Sequence, residues 1–320
     1  MDLKKLKKKV YISLIIGVGI FAGLSVFSDI DKLVKVFITF DFRYLPIILI
    51  LAPLNYCFRF IKWNYYLNQI KIKVRMRDNI LIFASGLSMT VTPGKIGELL
   101  KSYLLKEINN VPISKTAPLV MAERLTDGIS LLILASFGVL SYNYGKGIVL
   151  FVLICILAFI IIVQSPRVVH RIIGVISRLG FVKKFAEGIQ NFYDSTYILF
   201  KIKPLLFAVS IGVISWFFEG LVIFLTLKAM DTEISLLASI FIVSFSSIVG
   251  AISMLPGGLF AAEGSIVGLL LFMGITKDIA TATTIITRFS TLWLGVFIGM
   301  IALMLIQKRL FDKDSFNDGI

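Results

Sequence analysis

Long stretches of this chain carry almost no polar side chains, and they recur at lengths that suit a helix crossing a lipid bilayer. Apolar runs lie near residues 10–27, 44–67, 117–140, 147–164, 204–227 and 279–306. A helical span needs about 20 mostly apolar residues, so these runs predict about six transmembrane helices. Two further regions, about 80–105 and 236–275, are apolar but broken near the middle. Pro93-Gly94 interrupts the first and Pro256-Gly257-Gly258 the second. Both residue types disfavour a continuing helix, and the arm from Ile80 to Thr92 is too short to cross on its own. Each region predicts a helical hairpin, re-entrant or built from short paired spans. Its open backbone at the tip must be buried in protein or line a wet cavity.

Composition agrees with the pattern. The chain is 58% apolar and 16% charged, against about 45–50% and about 25% in soluble domains. The fold class that follows is an all-α polytopic membrane protein. Residues 1–320 read as a single membrane domain, with no polar stretch long enough for a separate soluble catalytic domain. The lysines from Lys4 to Lys9 precede a run long enough to span, and Ser28-Asp29-Ile30 is a poor cleavage site, so 10–27 reads as an uncleaved first span. Between 165 and 203, basic residues mix with aromatic and aliphatic ones at helical spacing. That stretch predicts an amphipathic connector at the cytoplasmic interface.

The net charge of +14 changes the picture only in its placement. Lys and Arg cluster at the ends of the apolar runs, as anchors do, rather than in a nucleic-acid-binding face. Starting from an inside N-terminus, the inside loops hold twenty-one basic residues and the outside loops six. The positive-inside rule then puts both termini in the cytoplasm of a multi-pass plasma-membrane protein. Anionic or phosphate-bearing membrane lipids, and not nucleic acid, are the partners this charge suits. Cys57 and Cys155 both fall inside apolar runs, far apart, and the only histidine, His170, sits in a basic loop. No metal, cofactor or Ser–His pair is expected from them.

The chain also resembles itself. Ser88 to Gly94 leads to Glu98 and then to Arg124 in a following span; Ser253 to Gly258 leads to Glu263 and then to Arg288. Combined with the loop charges, the two units, within about 1–140 and 147–308, run in opposite senses through the membrane. Inverted repeats whose broken helices meet near the midplane are a transporter architecture, although an enzyme can use the same scaffold.

Charges inside a bilayer are costly and mark function. Here they are Arg59, Lys62, Lys95, Glu98, Lys101, Glu123, Arg124, Asp127, Glu219, Glu263 and Arg288. Arg124 and Arg288 each follow a hairpin whose acid, Glu98 or Glu263, is a natural ion-pair partner. An arginine in a wet cavity can instead fork onto a phosphate, helped by Lys95 and by backbone N–H groups freed at Gly94, Gly257 and Gly258. Both readings stay open on the sequence. Glu123 and Asp127, at i and i+4, share a helix face. Ion pairing with Arg59, Lys62 or Lys101 is the favoured reading of those two, ahead of proton or cation binding. Glu219 has no charged counterpart at the repeat offset, unless Arg59 serves.

The run Pro93-Gly94-Lys95-Ile96-Gly97-Glu98 with Lys101, followed by Ala122-Glu123-Arg124-Leu125-Thr126-Asp127, resembles the membrane region of the lysylphosphatidylglycerol synthase/flippase family. So does Leu255-Pro256-Gly257-Gly258-Leu259 with Glu263-Gly264-Ser265, then Thr287-Arg288 and Leu292-Trp293. The likeness runs over about residues 5–308. It implies a lipid flippase module, in stand-alone form without the soluble aminoacyltransferase domain of full-length members. One departure is that relatives commonly have Gly-x-x-Glu after the second Pro-Gly-Gly, where this chain has Phe260-Ala261-Ala262 before Glu263.

The expected function is a transporter rather than an enzyme, moving a phospholipid or a polyprenyl-phosphate carrier between leaflets. The alternatives are a membrane-embedded lipid aminoacyl- or glycosyltransferase, or an accessory membrane subunit of a partner transferase.

Overall fold

The computed structural model describes residues 28–142, 146–167 and 186–317, with a few helical positions among 19–26. Every regular element among them is helical. The predicted first span lies almost entirely outside the described residues, as does the part of the predicted connector over 168–185.

Helix α1 (Ile30–Thr39) begins at Asp29, whose side chain accepts from the Asp31 N–H at 3.2 Å. Lys32 and Lys35 of this stretch count among the outside-loop cations, and no helix is expected there from the apolar runs. Its structure is an amphipathic helix: Leu33 and Val36 pack with Ala282 and Ile279, while Ile30, Val34 and Ile38 remain exposed. A stripe at helical spacing, not length, is what makes it fold.

Helix α2 (Leu45–Gln69) carries a proline in its first turn, where the missing N–H costs nothing. Next come α3 (Met76–Leu87), the turn Pro93–Leu99, α4 (Leu100–Asn109) and α5 (Ile113–Tyr142). After α6 (Lys146–Val163) and α7 (Ala186–Leu199) the same order returns. It runs α8 (Ile202–Lys228), α9 (Leu236–Ile252), the turn Pro256–Gly258 and α10 (Ala261–Phe272). The last long helix is continuous through α11 (Lys277–Arg288), a π segment at Phe289–Trp293 and α12 (Leu294–Asn317).

Among the described residues, three helical stretches are long and apolar enough to cross a membrane by length and composition: Phe42–Gln69, Ile202–Lys228 and Lys277–Lys308. Helix α5 has the length but carries Glu123, Arg124 and Asp127 along it. The hairpin arms are different. At 1.5 Å per residue, α3 is about 18 Å long and α4 about 15 Å, against a hydrocarbon core of about 30 Å.

Packing crosses between the two sets of elements. The pair α2 and α8 run along each other, α3 packs on α12, and α9 packs on α5. The crossings are close: a Cβ on Gly299 of α12 would lie 2.2 Å from the Ser88 nitrogen, and one on Gly138 of α5 would lie 2.4 Å from the Phe241 Cβ. Small residues at helix crossings are how membrane helices approach without a hydrophobic drive between them. The consequence for function is that the two Pro-Gly turns touch, with the Gly94 N–H donating to the Met254 carbonyl at 3.3 Å.

Candidate functional site

Each turn is built from backbone that L-residues rarely adopt. Gly94 (φ 56°), Lys95 (φ 55°), Met254 (φ 54°), Gly257 (φ 63°), Gly258 (φ 66°) and Phe260 (φ 67°) all have positive φ. Gly258 is needed twice over, because a Cβ there would meet Gly250 Cα of α9 at 3.0 Å. Lys95 and Phe260 have no such freedom, and strain of this kind costs about 1–3 kcal/mol per residue. Phe260 begins the departure noted in the sequence, and that departure falls on a position with positive φ.

Between the two turns lies a cavity of about 240 Å³. Its lining includes Gly94, Lys95, Gly257, Gly258, Arg124 and Arg288, which are all the residues proposed from the sequence to receive a headgroup. Arg59, Asp127 and Glu219 line it as well. Glu98, Glu123 and Glu263 do not reach the lining; they stand behind it as ion-pair partners.

The first unit holds a connected charge network. Lys101 of α4 pairs with Glu123 of α5 and lies 3.7 Å from Glu98. Its ammonium also sits 4.6 Å from the centre of the Trp63 ring, a cation–π contact. Lys62 of α2 is fully buried and pairs with Asp127, which Arg59 approaches to 3.7 Å. The pairing favoured for Glu123 and Asp127 is therefore the one present. Arg124 Nη2 lies 3.1 Å from Glu98 and 3.4 Å from Asp127. Asp127 already has Lys62, so Arg124 is an additional cation on it, whereas on Glu98 Arg124 is the nearer cation and Lys101, shared with Glu123, stands at 3.7 Å.

The second unit is simpler. Arg288 Nε donates to Glu263 at 2.6 Å and its Nη2 donates to the Gly257 carbonyl at 2.8 Å. That guanidinium ties α11 to the turn and to the start of α10. The π segment follows at once, and in it the Thr291 carbonyl accepts from the Tyr56 hydroxyl at 2.6 Å. Single π turns inside helices are frequent at functional sites, and a carbonyl of this one binds α2.

Several buried N–H donors at the cavity have no acceptor among the described residues. They are Arg124 Nε, Arg59 Nε and Trp216 Nε1. Lys95 makes no salt bridge among the described residues. A buried donor without a partner is costly, and several around one cavity suit an anion with many acceptor oxygens. Among the described residues, no group of three His, Cys, Asp or Glu is placed to hold a metal ion.

The sequence reading missed Trp216, Tyr56 and Asn55. Asn55 of α2 is fully buried and donates to the Ser215 carbonyl at 2.8 Å and to Glu219 Oε1 at 3.2 Å. Its separation from Glu219 is 164 residues, the same as from Arg124 to Arg288. The counterpart of Glu219 is thus an uncharged amide, and not Arg59. A search restricted to charges passes over it.

Fold and site together define an all-α polytopic membrane protein with a polar cavity where two broken helical hairpins meet. The chain belongs to the family of the lysylphosphatidylglycerol synthase transmembrane region, whose model matches residues 14–299. It is 24% identical to a UPF0104 membrane protein of Methanothermobacter thermautotrophicus, over 93% of this chain and 94% of that one. A UPF0104 membrane protein of Methanocaldococcus jannaschii is 23% identical, with 94% of this chain and 96% of the relative covered. One of Pyrococcus horikoshii is 24% identical, over 95% and 99%.

Proposed function

We propose that this protein carries a phosphate-bearing lipid, of the phospholipid or polyprenyl-phosphate type, from one leaflet to the other. The observation that carries the reading is the cavity between the two turns, lined by Arg59, Lys95, Arg124 and Arg288 and by N–H donors that lack acceptors. The phosphate sits against Arg124, Arg59 and Lys95 while the tail stays in lipid. Arg288, already bonded to Glu263 and Gly257, holds the second turn in place. The loop-charge asymmetry supports cytoplasmic termini in the plasma membrane. With that orientation the two repeated units are inverted, and the crossed packing of α3 on α12 and α9 on α5 suits a carrier that rocks one half against the other.

Proteoliposomes test this with tail-labelled fluorescent phosphatidylglycerol and, in parallel, a labelled polyprenyl phosphate. Vesicles holding the protein are expected to equilibrate at least one of these lipids between leaflets faster than protein-free vesicles. The Arg124→Gln variant is expected to lose about tenfold or more of that rate, the scale of one charge-assisted hydrogen bond. Rates equal to protein-free vesicles for both lipids, or an undiminished Arg124→Gln rate, would remove the reading.

A further inference from the structure

Every other acid in the membrane-embedded cluster has a cation: Glu98 and Glu123 have Lys101, Asp127 has Lys62, and Glu263 has Arg288. Glu219 has none. It lines the cavity, its hydrogen bond comes from the neutral Asn55 amide, and no salt bridge reaches it among the described residues. Glu219 is partly buried, and a partly buried carboxylate without a paired cation accepts a proton more readily than a paired one.

The groups facing it are known from each element packed on α8. Helix α2 presents Tyr56 and Arg59, the first turn presents Lys95, α5 presents Arg124 and Asp127, and α11 presents Arg288. Helix α9 contributes only Ser247 as a polar side chain to the lining, and α7 contributes nothing to it. In the empty cavity, Arg59, Lys95, Arg124 and Arg288 share the lining with Glu219. An anion entering the cavity engages Arg59, Lys95 and Arg124, while Arg288 stays on Glu263. Glu219 then faces a like charge with most of its compensation taken, and the ionised form loses its support.

We propose that Glu219 takes up one proton when an anionic headgroup enters the cavity and returns it when the headgroup leaves, coupling lipid movement to protons. This rests on the anion site proposed above. The step is a simple transfer, from water or hydronium to a Glu219 carboxylate oxygen and back, and no other bond changes. One anion and one proton entering together leave the charge of the cluster unchanged. The loaded site then moves no net charge relative to the empty one. By linkage, the sign is set: the anion binds more tightly to the protonated form, so affinity falls as pH rises, and binding draws protons from solution.

The probe is dihexanoyl phosphatidylglycerol, because a phosphodiester keeps its single charge whereas a phosphomonoester titrates near pKa 6. Calorimetry on the purified full chain in neutral detergent, in buffers of different ionisation heat, counts protons taken up per probe bound. The wild type is expected to take up close to one proton toward the alkaline end of the range. Its affinity should weaken there by as much as about tenfold per pH unit. Glu219→Gln, which can still accept the Asn55 hydrogen bond, is expected to bind with no pH dependence and no uptake. Infrared difference spectra on probe addition should show a carboxylic-acid carbonyl band in the wild type. Its absence overturns the inference even if Glu219→Gln fails to fold. Probe binding without proton uptake, or wild-type behaviour in Glu219→Gln, overturns the coupling alone. A wild type that binds no probe at any pH overturns the anion site and the coupling with it.

Discussion

The two Pro-Gly hairpins share an order of elements and a spacing of acid to arginine, yet they hold their charges differently. Around the first, three acids are shared among Lys62, Lys101, Arg59 and Arg124. Around the second, one arginine meets one glutamate and one carbonyl, and among the described residues no second cation stands by. Positions that are Lys62 and Glu123 in the first unit are Thr226 and Thr287 at the repeat offset in the second. The lesson is that redundancy sets a residue free. Because Asp127 keeps Lys62 and Arg59 and Glu98 keeps its share of Lys101, Arg124 can turn to a ligand without leaving either acid with no cation nearby. Arg288 cannot, since leaving Glu263 would strand a carboxylate.

Stability should separate the two arginines. Arg288→Gln leaves Glu263 buried without a cation, and breaking a buried pair from one side costs about 3–5 kcal/mol. Thermal unfolding in detergent is expected to show that loss. Arg124→Gln leaves both of its acids still paired, so a cost of about 1 kcal/mol, that of an ordinary hydrogen bond, is expected instead. Equal destabilisation by the two variants would mean that the first network is not redundant.

The smallest effect has the opposite sign. Phe260 holds φ 67° at the start of α10, and Phe260→Gly removes strain of about 1–3 kcal/mol. Glycine's extra freedom in the unfolded chain takes back about 1 kcal/mol, so a modest rise in unfolding temperature is expected. A fall would show that the exposed Phe260 ring contributes more than its backbone costs.

Much of this was legible beforehand, for physical reasons that differ by residue. The apolar runs gave the long helices because a bilayer leaves few alternatives to a helix. Pro93-Gly94 and Pro256-Gly257 marked the turns because they cannot continue one. The i, i+4 spacing of Glu123 and Asp127 put them on one helix face, and the intramembrane cations Arg59, Lys62 and Lys101 made pairing the favoured reading of them. Helix α1 did not show, because ten residues with three charges look like a loop until Ala282 and Ile279 supply the surface that Leu33 and Val36 cover. The π segment leaves no local signal in Phe289–Trp293. Trp216 looked like one more apolar residue in a span, and its indole N–H matters only once the cavity exists. The inequality of the two arginines was hidden as well, since it depends on which lysines lie beside Glu98 and Asp127 in space.

That inequality decides which arginine receives the headgroup, and binding measures it directly. Dihexanoyl phosphatidylglycerol titrated into the purified wild type, Arg124→Gln and Arg288→Gln, at a temperature where all three are folded, gives three affinities. Loss of a charge-assisted hydrogen bond of about 1.5–3 kcal/mol predicts that Arg124→Gln binds about 10- to 100-fold more weakly. Arg288→Gln is expected to keep an affinity close to the wild type. Equal losses in both, or a loss confined to Arg288→Gln, would contradict the assignment of the headgroup to the first hairpin.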